Sequence, residues 1–164
     1  MATKASEGLG GMAGAPGWFV YPFFLVHMLM FGFAGFMLAY GADGDVGFLY
    51  MHGGLAIVVY TVFYVAIFGV DQVMWMFINA ALGVTGIYTQ IGWIIGLFGQ
   101  NPADYPWYVH AVPMLYFVLY TFLLRQLVLD LTRSRDNPRR RRLVEAAYVI
   151  LTLATYAATY FLHL

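Results

Sequence analysis

The sequence predicts an all-α integral membrane protein, a bundle of about five transmembrane helices joined by short loops. Of its 164 residues, 62% are hydrophobic and only 10% are charged, and the mean hydropathy is +0.74. Soluble domains carry roughly 25% charged residues, so these values exclude an ordinary globular protein. Apolar runs of about 20 residues, the length that a helix needs to cross the hydrocarbon core, recur along the chain.

Five apolar runs follow a Gly- and Ala-rich N-terminal segment. We expect residues 1–17 to be flexible and residues 18–164 to form the transmembrane bundle. Loops dense in Gly, Pro, Asn and Asp separate the runs and indicate where the helices end. The predicted spans cover residues 18–40, 48–68, 72–98, 108–129 and 143–163.

The boundaries between these spans follow from local chemistry. The first span ends at the polar segment 41–45, and the second ends at a short hairpin around Asp71, a residue that is costly in hydrocarbon. The fourth span begins at Tyr108, and Trp107 and Tyr108 lie where an aromatic belt is expected at the membrane surface. The fifth span follows the arginine-rich segment.

The third span carries small and amide residues at helical spacing. Asn79, Gly83, Gly86 and Gln90 stand at i, i+4, i+7 and i+11, so one continuous helix would place them on one stripe. In lipid, glycines allow close helix packing, and amides must face protein, water or a ligand. We therefore expect this segment to be the inner helix of the bundle. Further predicted packing residues are Gly92, Gly96, Thr152, Thr155 and Thr159.

Histidine is the strong haem or transition-metal ligand that remains in a chain without cysteine. His52 and His110 are predicted to lie at similar depth near one end of the bundle. There they could share a b-type haem, or a copper ion completed by His163 or an acidic loop residue. His27, deeper in the first span, could be an axial ligand to a haem or a chlorophyll-type pigment. The alternatives are interfacial histidines without a cofactor and, for His27, a neutral imidazole hydrogen-bonded to a neighbouring span.

Six of the eight Lys and Arg residues lie between positions 133 and 142. By the positive-inside bias, we expect the N-terminus and the 131–142 loop on the cytoplasmic side, and the C-terminus on the opposite side. Arg125 and Glu145 lie near this loop and are expected to pair. The loop is also a candidate for contact with an anionic lipid or a partner subunit through Arg133, Arg135, Arg139, Arg140, Arg141 and Arg142.

Composition and motifs narrow the function. The formal net charge is zero, so the overall charge does not point to nucleic acid. The sequence contains no P-loop, GxGxxG, HExxH or GxSxG motif. We therefore expect that the protein has no catalytic site of its own.

Our first hypothesis is an accessory subunit of a larger membrane complex, one that carries out electron transfer or oxidation. Its partners would be other membrane subunits or further copies of the chain, together with bound lipid. The alternatives are a haem- or pigment-binding membrane protein, and a small transporter or channel that uses Asn79 and Gln90. Aromatic residues make up 19% of the chain, which suits the lining of a pigment, quinone or carotenoid site but also suits contact with lipid.

Overall fold

The computed structural model describes residues 17–41 and 44–162, and within these ranges the chain forms helices and turns without a β-strand. Four helical stretches are long and apolar enough to cross a membrane, and a bent pair of helices makes a fifth if it is taken as one span. The predicted all-α membrane class is confirmed. The segment 1–16, predicted to be flexible, and His163 lie outside the described residues.

Six helices form the described bundle, and most of their ends lie within a few residues of the predicted boundaries. They are α1 (Gly17–Tyr40), α2 (Val46–Phe68), α3 (Val70–Leu82), α4 (Val84–Gly96), α5 (Ala111–Leu131) and α6 (Pro138–Leu162). Two short 3₁₀ helices, Pro102–Asp104 and Trp107–His110, connect α4 to α5.

The central helix is α5. Half of the residues in its most apolar stretch are buried, against 28% in α1 and in α2 and 6% in α6. Along α1, Gly32 and Gly35 lie against the ring of Tyr116 on α5, and Cβ atoms built on these glycines would lie 3.7 and 3.5 Å from it, in ordinary van der Waals contact. Helices in lipid associate through this kind of close approach. α6, by contrast, is a peripheral helix.

A π-helical segment, Leu49–Gly54, lies near the start of α2. At this segment α2 approaches α5 closely, because a Cβ atom on Gly53 would lie only 2.7 Å from Cγ1 of Val112. Asp45 caps the start of α2, where its carboxylate accepts a hydrogen bond of 3.0 Å from the Phe48 N–H. Cap and glycine together fix how α2 enters the bundle.

The predicted third span is bent rather than continuous. α3 and α4 meet at Gly83 with a bend of 71°. The Gly83 N–H donates to the Asn79 carbonyl at the end of α3, and the Ile87 N–H donates to the Gly83 carbonyl at the start of α4. Residues 83–86 read Gly-Val-Thr-Gly, and glycine and β-branched residues have low helix propensity. The chain therefore bends where its local preference for helix is weakest.

The loops define two ends of the bundle. One end, which we call the arginine end, holds the α2–α3 junction and the α5–α6 turn, residues 132–137. The opposite end holds the α1–α2 loop and residues 97–106. α6 begins at Pro138, earlier than the predicted position 143, because Asn137 caps it by accepting hydrogen bonds of 3.1 Å from the N–H groups of Arg139 and Arg140. The arginines predicted in a loop thus include four in the first turns of a helix.

Candidate functional site

His110 is buried at the opposite end of the bundle, where α1, α4 and α5 come together. Its Nδ1 lies 2.7 Å from the hydroxyl of Tyr40. The rings of Tyr40, Tyr88 and Tyr105 surround it, with centroids 5.6, 5.2 and 6.4 Å from that of the imidazole. The hydrogen bond occupies Nδ1, and the backbone of Pro102 and of Tyr105 also hydrogen-bonds the imidazole.

The other two described histidines have simpler surroundings. His52 is partly buried between Phe31 and Phe48, at centroid distances of 5.3 and 5.6 Å. His27 is also partly buried; its Nδ1 lies 2.8 Å from the Phe23 carbonyl of its own helix, and its ring packs on the Phe23 ring. His27 is therefore hydrogen-bonded within its own span rather than to a neighbouring one.

The structure does not gather the candidate ligands into one site. Among the described residues, no aromatic ring contacts both His52 and His110. The same part of the chain contains no group of three His, Cys, Asp or Glu side chains that could hold a metal ion. Ligation of a haem or metal by these histidines stays a prediction. His163, the other predicted metal ligand, lies outside the described residues.

An apolar groove of about 620 Å³ lies between α1 and α4, with α5 as its floor. Its size is typical of small-molecule pockets, which span about 300–1,000 Å³. Much of its lining is aromatic. The rings come from α1, from the segment that follows α4, and from α5: Phe33, Phe36, Phe98, Tyr116, Phe117 and Tyr120. A lining of this kind suits a long apolar molecule or a planar ring.

The groove is polar at the opposite end of the bundle. Tyr40 and Gln100 both line it there, and the Gln100 amide donates a hydrogen bond of 2.8 Å to the Tyr40 carbonyl. Tyr40 also holds His110 through its hydroxyl. One residue thus links the end of the groove to the buried imidazole.

The α3–α4 break is open on one side. On the other side the ring of Tyr156 from α6 lies against Gly86, where an added Cβ would overlap the ring atoms. Leu82 and Val84, which flank the break, are 82% and 49% exposed. Asn79 is exposed as well, and its side chain makes no hydrogen bond to any described residue. A polar helix break with an exposed amide therefore lies on the surface of the bundle.

The other predicted packing residues are divided between surface and interior. Gln90 and Gly92 are buried on α4, whereas Gly96 is exposed. On α6 each threonine hydroxyl donates to a carbonyl one turn earlier in its own helix, so these hydroxyls need no partner from another helix. The distances are 2.9, 2.8 and 3.0 Å for Thr152, Thr155 and Thr159.

A polar network closes the arginine end between α1 and α5. The Tyr21 hydroxyl donates to the Asp130 carboxylate, which also accepts a hydrogen bond of 2.5 Å from Nε of Arg135. Arg135 further donates to Oε1 of Gln126 over 3.1 Å. Burial lowers the pKa of Arg135, but the hydrogen bond and charge of Asp130 outweigh it, so the pKa lies above its usual range. The guanidinium therefore stays charged within a network that joins the first helix to the fifth.

The predicted pair of Arg125 and Glu145 is confirmed. Nη2 of Arg125 lies 2.6 Å from Oε1 of Glu145, and Nε of Arg141 lies 3.1 Å from the same oxygen. One carboxylate thus joins α5 to α6 and also pairs within α6. These contacts account for two of the seven arginines at this end.

The sequence does not predict two features of the structure, the aromatic groove and the Tyr21–Asp130 contact. The two residues are 109 positions apart, so no local pattern connects them. A weaker signal was present in α5, where Gln126 and Asp130 stand at i and i+4 in an otherwise apolar helix end. That spacing indicates a polar face directed at a neighbouring helix.

Comparison with protein-family models, with curated proteins and with solved structures found no match to this chain. Its candidate sites are therefore defined by geometry and chemistry alone.

Proposed function

We propose that the protein is a non-catalytic subunit of a larger membrane complex, and that the open side of the α3–α4 break packs against a transmembrane helix of a partner subunit. The observation that supports this proposal is the helix break flanked by the exposed side chains of Leu82 and Val84, together with the exposed amide of Asn79. A lipid-facing surface is expected to be apolar and helical throughout.

The irregular backbone at the break is the first argument for a covering partner. A helix end leaves its last carbonyls, or its first N–H groups, without intrahelical partners, and here the end of α3 and the start of α4 lie side by side. In hydrocarbon each unsatisfied group costs several kcal/mol, so irregular backbone at membrane depth occurs where protein buries it or where it lines a water-filled cavity. Tyr156 covers one side only, and Leu82 marks the open side.

Asn79 supplies the matching side-chain chemistry. Amides in transmembrane helices stabilise association by hydrogen bonds across the helix interface, worth about 1 kcal/mol each. The Asn79 amide is exposed one turn before the break, so a helix packed over the break would be within reach of the amide. A partner helix with polar groups at this depth is the occupant that we propose.

The first test is the size of the assembly in native membranes. The chain, 18.4 kDa by itself, should migrate within a much larger complex after mild extraction. Asn79→Ala should reduce the fraction in that complex while leaving the thermal unfolding of the isolated chain nearly unchanged. Thr155→Ala is the matched control, because Thr155 is exposed but its hydroxyl is bonded within α6. A native chain that migrates as a monomer, or an Asn79→Ala variant that assembles normally, would contradict the proposal.

The partner could also be a second copy of the chain. Because the sequence has no cysteine, an Asn79→Cys variant carries a single thiol. If a disulfide forms between two chains in the native membrane, the partner at the break is a second copy of the chain and the protein is a homo-oligomer. Membership of an electron-transfer or oxidative complex remains part of the proposal, to be tested by identifying the subunits that co-purify.

A second candidate function is the binding of a pigment, haem or quinone, and the aromatic groove is the observation that favours it. Tyr40 would connect a ligand in this groove to His110. The test is an absorption spectrum, oxidised and reduced, of the protein gently extracted from its native membrane. An absorption band that migrates with this chain and is lost in His110→Ala, but not in His27→Ala or His52→Ala, would support a ligand bound in the groove. A colourless preparation that also yields no quinone on extraction would exclude it.

We further propose that the arginine end faces the cytoplasm, because short cytoplasmic loops carry an excess of Lys and Arg. The opposite end carries Asp45 and Asp104 and, in residues 41–47 and 97–107, no Lys or Arg. Single-cysteine variants at Asp136 and Asp104 would test this assignment. The cysteine at position 104 should react with an impermeant thiol reagent in intact cells, and the one at position 136 only after the membrane is opened.

A further inference from the structure

We propose that the arginine end binds the phosphate group of an anionic membrane lipid. The site consists of four guanidinium groups around the α5–α6 turn, which we call the arginine patch. Its members are Arg133, Arg139, Arg140 and Arg142. This site is separate from the α3–α4 break, so it does not depend on the partner subunit proposed above.

The patch consists of the arginines that no carboxylate neutralises. At this end Glu145 pairs with Arg125 and Arg141, and Asp130 pairs with Arg135. The patch arginines make no ion pair within the described residues. Two of them reach only backbone carbonyls: Arg140 donates to Thr132 and Arg142 to Pro138, each over 3.3 Å.

The patch is therefore a region of uncompensated positive charge. Asp136, the remaining carboxylate of the turn, is exposed and forms no ion pair with any described residue. The segment beside the membrane-spanning helix α6 thus carries four arginines without an ion pair and one carboxylate without an ion pair. Clusters of four or more Lys or Arg in this position attract anionic lipid headgroups, and guanidinium groups suit phosphate because they donate in a planar fork.

Arg133 gives an independent reason to assign a role to its side chain. Its φ is +49°, in the left-handed region that glycine adopts most readily. The turn is a Schellman motif, in which the Ser134 N–H donates to the Leu129 carbonyl and the Arg133 N–H to the Asp130 carbonyl. Glycine is the usual residue at the position of Arg133 in this motif. Position 133 therefore carries an arginine where glycine would cost less, which is expected if the guanidinium group binds the lipid phosphate.

The apolar neighbours of the patch favour a lipid over a soluble phosphate. Leu131 at the end of α5 is 74% exposed, and Leu143 in the second turn of α6 is 72% exposed. Both flank the arginines in sequence and face outward from the bundle. A ligand with a phosphate and acyl chains would satisfy both the guanidinium groups and these leucines.

The proposal is tested by lipid titration of the purified full chain in a neutral detergent, with bound lipid counted by native mass spectrometry. Phosphatidylglycerol should bind in preference to phosphatidylcholine, and added salt should weaken its binding. Because each basic residue near an anionic surface contributes about a fivefold change in affinity, R139Q/R140Q/R142Q should weaken binding by about 100-fold. Asp104→Asn, a change of one charge at the opposite end of the bundle, is the control and should leave it unchanged.

Two single variants separate binding from folding. Arg133→Gly should weaken phosphatidylglycerol binding about fivefold while leaving the unfolding temperature equal or higher, since glycine suits the left-handed position. Asp136→Asn should strengthen binding, because it removes the one free carboxylate. A lower unfolding temperature in Arg133→Gly with unchanged lipid affinity would show that Arg133 serves the turn and not a lipid.

Three results would overturn the proposal. Equal binding of phosphatidylglycerol and phosphatidylcholine would show that the charge of the lipid headgroup does not determine binding. Competition by inorganic phosphate as effective as that by the lipid would make this a soluble-phosphate site. Unchanged lipid binding in R139Q/R140Q/R142Q, with loss of the native assembly, would assign the patch to an acidic protein partner.

Discussion

The hydroxyl of Tyr40 lies 2.7 Å from Nδ1 of His110, and both side chains are almost completely buried. The contact joins the last residue of α1 to the residue before α5, so it closes the opposite end of the bundle. It also fixes the orientation of the imidazole, because the ring can no longer rotate without losing its partner. Whether His110 packs the bundle or binds a cofactor, this hydrogen bond positions it.

Removing the Tyr40 hydroxyl should destabilise the protein. Tyr40→Phe leaves Nδ1 of His110 buried without its partner, and an unsatisfied buried polar group costs about 1–3 kcal/mol. The unfolding free energy in detergent should fall by that amount. Tyr160→Phe is the control, since Tyr160 is 57% exposed and its hydroxyl makes no hydrogen bond to a described residue. Equal stability of the two variants would mean that the Tyr40–His110 bond contributes nothing.

Gly86→Ala should loosen the contact between α4 and α6. A Cβ atom at this position would overlap the ring of Tyr156, including the atom nearest its backbone, so the ring must move as a whole. Overpacking of this kind costs about 1–3 kcal/mol. Thermal unfolding of the detergent-solubilised chain measures the loss, and Tyr156→Ala combined with Gly86→Ala should recover part of it. Gly54→Ala is the matched control, because a Cβ there meets nothing within 4 Å.

Gly53→Ala tests the approach of α2 to α5 in the same way. The added Cβ would lie 2.7 Å from Cγ1 of Val112, a β-branched side chain with little freedom to rotate. We expect a loss of about 1–3 kcal/mol in the free energy of unfolding. Val112→Ala in the same chain removes the clashing methyl group, so the double variant should be more stable than the sum of the two single losses predicts. Simple additivity would show that the two sites do not touch.

The sequence predicted the fold class and most helix ends because both depend on properties that each segment carries by itself. Apolar length, belt aromatics and turn residues are local, and they located α1, α2 and α5 closely. The arginine-rich segment was predicted as a loop, but the Asn137 cap extends α6 through it. The local signal for this boundary is the pair Asn137-Pro138, because Asn is a favoured N-cap residue and Pro is favoured at the first position of a helix.

The bend at Gly83 and the groove were harder to predict, for two different reasons. At Gly83 the helical spacing of Asn79, Gly86 and Gln90 implied a continuous stripe, whereas the weak helix propensity of residues 83–86 favoured a break. The spacing alone could not decide between them. The groove depends on how α1, α4 and α5 pack side by side, and the sequence pattern of one helix does not predict that packing.

The shared carboxylate of Glu145 provides the last prediction. Its Oε1 accepts from Arg125 over 2.6 Å and from Arg141 over 3.1 Å, so Glu145→Gln removes the charge from both contacts. All three side chains remain partly exposed, and pairs of this kind contribute about 1 kcal/mol or less each. We expect a loss of about 1 kcal/mol in unfolding free energy, reduced by added salt.

A double-mutant cycle with Arg125→Gln separates the two contacts, because that variant breaks the α5–α6 pair and leaves the Arg141 pair in place. If the interhelical contact dominates, Glu145→Gln should cost little in the Arg125→Gln background and nearly its full amount in Arg141→Gln. The opposite order would mean that Glu145 mainly stabilises the first turns of α6. Asp136→Asn, which removes an exposed carboxylate without an ion pair to any described residue, should leave the unfolding free energy unchanged.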